Sequence, residues 1–97
     1  MNKYELAVVV NAKIEDEERN ATLDKVKALI ERFGGAITNV DDWGKKRLAY
    51  EIQKMKEGYF FFIKFDAEGT TPVEIETRIR IMDNVLRYLV VKDEANA

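Results

Sequence analysis

Histidine, cysteine and serine are absent from this chain, and proline occurs once. Without histidine or serine the usual pairs of nucleophile and base cannot be assembled, so no enzymatic activity is expected. The same absences rule out a structural zinc site and any disulfide. No cofactor or resident metal is expected either: the carboxylates Glu15 to Glu18, Asp41 and Asp42 lack the ligand spacing of a calcium loop. Long apolar runs are also missing. Val8 to Val10 and Tyr59 to Ile63 fall far short of the roughly 20 residues that span a bilayer, and Glu5 interrupts what would have to be the apolar core of a signal peptide. A cytoplasmic location is the expectation.

The composition of 46% hydrophobic and 35% charged residues in 97 positions describes one ordered domain. It is expected to span residues 1–92, with 93–97 a short flexible tail. The net charge of −2 conceals a division along the chain. Glu15, Asp16, Glu17, Glu18 and Asp24 make one stretch acidic, whereas Lys45, Lys46, Arg47, Lys54 and Lys56 make another basic.

Tyr4, Leu6, Val8 and Val10 alternate as one face of a strand. Leu23, Val26, Ile30 and Phe33 then follow at helical spacing, in a helix expected to begin near Glu15 or Asp16 and to be closed by Gly34-Gly35. A second strand is expected from Ala36 to about Ile52, with a bulge or bend at Gly44. Lys54 to Gly58 reads as a turn, and Tyr59 to Phe65 as the most apolar and central strand. Thr71-Pro72-Val73-Glu74 has the form of an N-cap threonine, a first-turn proline and a capping-box glutamate. Ile75, Ile79 and Met82 continue that second helix to Asp83-Asn84, and Val85 to Lys92 supplies a last strand. The order predicts an α+β, ferredoxin-like βαββαβ fold, a four-stranded antiparallel sheet with two helices on one face. Val9, Phe60, Phe62, Leu89 and Val91 would then point away from the helices, a large apolar surface that suggests a partner.

Lys45-Lys46-Arg47 at the mouth of an alternating strand has two readings. The cations can guard a sheet edge against aggregation, or they can anchor phosphates, with Arg80 and Arg87 as the best further contributors. Phe60 and Phe62 invite comparison with the stacking rings of an RNA recognition motif. Phe61 stands where a small residue is usual, however, and the first strand offers Glu5, Ala7 and Val9 in place of an aromatic. Core packing and protein contact are the expectation for these rings.

Three motifs resemble the bacterial small-subunit ribosomal protein S6 family over nearly the whole chain. They are Lys3-Tyr4-Glu5-Leu6, the block Trp43-Gly44-Lys45-Lys46-Arg47-Leu48-Ala49-Tyr50-Glu51-Ile52, and Arg80-Ile81-Met82-Asp83-Asn84-Val85-Leu86-Arg87 leading into Val90-Val91-Lys92. The resemblance implies a structural component of the 30S subunit that binds small-subunit rRNA together with ribosomal protein S18 and is a monomer when free. It also implies that Lys45, Lys46, Arg47, Arg80 and Arg87 face rRNA or the neighbouring protein. The rival reading is a homodimeric ligand-sensing or regulatory module on the same fold.

Overall fold

A computed structural model describes residues 2–52 and 55–92. The chain runs β1 (Asn2–Asn11), α1 (Asp16–Arg32), β2 (Ala36–Ile52), β3 (Met55–Ala67), α2 (Thr71–Ile79) and β4 (Val85–Lys92). The strands form one sheet in the order β2-β3-β1-β4, every neighbouring pair antiparallel. This is the ferredoxin-like arrangement expected from the sequence, with both helices on one face.

The alternation in β1 and β3 builds the core directly. Tyr4, Leu6, Val8 and Val10 share a face with Phe61, Ile63 and Phe65, and all are buried against Val26 and Ile30 of α1 and Ile75 and Ile79 of α2. Burial of a large aliphatic or aromatic side chain contributes about 1.5–3 kcal/mol, so this layer supplies most of the driving force.

α1 ends as the paired glycines suggested. Gly34 adopts φ +89°, its N–H donates to the Glu31 carbonyl at 3.1 Å, and the Gly35 N–H donates to that of Ile30 at 2.8 Å. These two bonds satisfy carbonyls that the helix leaves unpaired. The glycines serve different ends. A Cβ on Gly34 would meet open space, whereas one on Gly35 would lie 2.5 Å from Ile30 Cγ2, 3.0 Å from the Ile30 carbonyl oxygen and 3.2 Å from Phe65. Gly34→Ala should therefore cost about 1–2 kcal/mol through its backbone conformation alone. Gly35→Ala should cost about 1–3 kcal/mol by overpacking the buried Ile30. Urea midpoints of the two variants test this, and a neutral Gly35→Ala would disprove the close approach.

Several boundaries depart from the sequence reading. Thr71 is not the N-cap of α2: that position belongs to Thr70, which makes no side-chain cap bond, and Pro72 stands second in the helix. The Thr71 hydroxyl instead donates to the Phe33 carbonyl at 2.9 Å, tying the start of α2 to the end of α1. Phe33 itself is the C-cap of α1. α2 stops at Ile79, and the chain reaches β4 through turn bonds from Ile81 N–H to the Arg78 carbonyl and from Met82 N–H to that of Ile79.

The larger departure is at the hairpin. Lys56, Glu57 and Gly58 are not a turn but the first part of β3, because the ladder continues through Lys46↔Gly58 and Arg47↔Glu57 to Ile52↔Met55. Lys54 and the expected tail at 93–97 lie outside the described residues. Pairing of β1 with β3 ends at Asn11↔Gly58, so residues 47–52 and 55–57 project beyond β1 as a two-stranded arm.

Candidate nucleic-acid and partner interface

Residues paired directly across an antiparallel ladder share a face of the sheet. Asp41 pairs with Phe62 and Asp42 with Phe61, but the next pair is Gly44↔Phe60. Trp43 is the extra residue of a β-bulge, and Gly44 takes φ +72° there. The bulge is held by the Asp42 carboxylate, whose Oδ1 accepts the Gly44 N–H at 2.8 Å. One inserted residue exchanges the faces of everything beyond it.

That exchange sorts the three adjacent cations. Lys46 pairs with Gly58 and lies on the open face with Phe60 and Phe62, while Lys45 and Arg47 pair with Tyr59 and Glu57 and occupy the other face. The Tyr59 ring on that other face is covered by Arg19, whose guanidinium carbon sits 4.0 Å from the ring centre. Arg19 is itself paired with Asp16 at 2.8 Å. Arg87 opposes Val9 and belongs to the open face. Arg80 caps the C-terminus of α2 in the helix layer and is exposed. The five cations therefore do not form one flat patch.

Leu48, Tyr50 and Ile52 of the arm line a cavity on this same open face. Between Arg47↔Glu57 and Ile52↔Met55, β2 advances five residues and β3 only two. Such an excess bends the longer strand. The three side chains meet Val9, Phe60 and Leu89 around an apolar cavity of about 270 Å³. Gly58 gives Val9 its place beside that cavity, since a Cβ there would lie 2.5 Å from Val9 Cγ1, while Leu48 Cδ2 would be at ordinary contact distance. The Arg87 guanidinium hydrogen-bonds the Tyr50 hydroxyl and lies 5.6 Å from the centre of its ring.

The apolar face anticipated from the sequence is thus partly covered by the chain itself. Val9 is on that face but only 7% exposed. Phe60 borders the cavity, and Phe62 lies under Trp43, with ring centroids 4.8 Å apart. Leu89 and Val91 remain 60% and 44% exposed. Trp43 and Tyr50 belong to this surface although sequence reasoning did not assign them to it. The signal available was a lone tryptophan beside a glycine, and an aromatic continuing the Leu48 and Ile52 alternation.

Fold and surface together define a class, a ferredoxin-like α+β domain whose open sheet face carries apolar groups and, at one end, exposed cations. The family model described as ribosomal protein S6 matches residues 3–92. The chain is 46% identical over 94 residues to the small ribosomal subunit protein bS6 of Clostridium kluyveri, covering 97% of this chain and 99% of that one. It is 44% identical, at the same coverage, to bS6 of Alkaliphilus oremlandii. The crystal structure of 30S ribosomal protein S6 from Thermotoga maritima matches with a TM-score of 0.93 and 29% identity, covering 98% of this chain and 90% of that one. This chain belongs to the ribosomal protein S6 family, and is accordingly a non-enzymatic structural component of the small ribosomal subunit in the bacterial cytoplasm.

Proposed function

We propose that the chain binds small-subunit rRNA jointly with ribosomal protein S18, the cations meeting phosphates or the partner and the open sheet face meeting the partner. The observation that carries this reading is the make-up of the open sheet face, which has exposed Lys46 and the cavity under the arm at one end and exposed Leu89 and Val91 running along β4 away from it. A patch of that kind on a lone protein is a contact surface. Lys45, Arg47 and Arg80 extend the positive charge to the neighbouring faces.

The overall charge sets the order of dependence. A net charge of −2 provides no long-range attraction for a polyanion, so RNA affinity should be weak for the free chain and rise once S18 adds positive charge. Titration against a small-subunit rRNA central-domain fragment, with and without S18 and at two salt concentrations, tests this. Salt-sensitive binding that requires S18 is the expected result, and equal affinity with and without S18 would sink the reading. Sedimentation of the free chain should give a monomer. A stable dimer indifferent to RNA would favour the regulatory-module alternative.

A further inference from the structure

The geometry points to Arg87 as a positioning residue that acts through Tyr50, latching the β2–β3 arm over the open face of the sheet. This refines the RNA- and partner-binding reading above and rests on it for its functional half. The arm leaves the sheet beyond Asn11↔Gly58, and its ladder is irregular between Arg47 and Ile52. A two-stranded ribbon of this kind has little stability of its own. Its β2 side chains nevertheless converge on β4, with β3 and β1 lying between in the sheet order. Leu48, Tyr50 and Ile52 form one wall of the cavity, and Arg87 and Leu89 stand on the other.

The polar link across that cavity is the Arg87 guanidinium, which donates to the Tyr50 hydroxyl at the ring's outer edge, its carbon 5.6 Å from the ring centre. A guanidinium donates through a rigid planar fork of N–H groups, and the compact ammonium of lysine does not reproduce that geometry. Tyr50 is 59% exposed, so the latch lies at the surface, where an incoming partner meets it. Holding the arm down sets the direction in which Arg47, at its base, is presented beside Lys45 and Lys46 of the adjoining ladder. Arg87 thereby contributes to binding without itself contacting a phosphate.

The test has two parts. In the free chain, amide hydrogen exchange across residues 46–52 should be severalfold faster in Arg87→Ala and in Tyr50→Ala, and no faster in the double variant. Tyr50→Phe, which keeps the ring but loses the hydroxyl, should be intermediate. With S18 present, Arg87→Ala should weaken rRNA binding without changing the slope of log K against log[salt], and Arg87→Lys should not restore it. A phosphate contact predicts the opposite: a slope smaller by about 1 in Arg87→Ala and recovery in Arg87→Lys. That outcome, or unchanged exchange in the arm, overturns the latch. Failure of the parent chain to bind rRNA would sink the binding reading instead, while the exchange data would still decide whether the latch exists.

Discussion

Phe65→Ala should lower the unfolding free energy by about 3–5 kcal/mol, the range for removing a buried aromatic ring from a close-packed core. Phe65 is fully buried on β3, the strand between β1 and β2. It pairs with Tyr4 on one side and Ile37 on the other, stacks on the Tyr4 ring at 5.6 Å, and closes over Gly35 where α1 turns into β2. Losing the ring leaves a void that three strands and a helix end would have to fill, and close-packed interiors relax only in part. Small domains are stable by about 5–15 kcal/mol, so a large share of the total is at stake. Urea unfolding should show a lower midpoint with an unchanged slope. Phe62→Ala, on the open face beneath Trp43, should cost less than half as much. Equal costs for the two would mean that the helix-covered face is not the principal core.

The triple variant Lys45→Ala, Lys46→Ala and Arg47→Ala should reduce S18-dependent rRNA affinity by at least about tenfold at moderate salt. Each lost phosphate contact should also flatten the salt dependence by about 0.7–0.9. Strand alternation makes the individual residues separable, and the bulge at Trp43 decides which face each takes. Lys46 shares its face with the cavity, whereas Lys45 and Arg47 point to the opposite side of β2. Lys45→Ala with Arg47→Ala is therefore expected to carry most of the slope change, and Lys46→Ala to act mainly on association with S18. Folding should barely respond, because exposed substitutions of this kind usually stay within about 0.5 kcal/mol. The edge-guard reading predicts a different pattern: faster aggregation of the triple variant with rRNA affinity and salt slope intact. Binding isotherms at several salt concentrations, with light scattering on the same samples, distinguish the two.

How far a sequence pattern reaches depends on how local its cause is. Gly34-Gly35 was legible as a helix end because the bonds it completes lie within one turn. Thr71 was misleading for the converse reason. Its neighbours have the form of a capping box, yet its hydroxyl bonds the carbonyl of Phe33, 38 residues away in sequence, and no local pattern records that partner. Gly58 was read as part of a turn because glycine commonly marks one, whereas here its missing side chain admits Val9. That role exists only once β1 and β3 are paired.

The sequence by itself determined the order of the elements, the apolar face that becomes the core, the lack of catalytic groups and the family motifs. These follow from periodicity and residue type, and both survive whatever the tertiary arrangement. Only the tertiary structure decided what becomes of the open face and of the cations. A side chain's face is set by cross-strand register, and one extra residue at Trp43 sends Lys46 to one side and Lys45 and Arg47 to the other. Whether Val9 is exposed depends on where the arm bends, and whether Arg87 is free depends on the distance to Tyr50, both consequences of packing between segments remote in the chain.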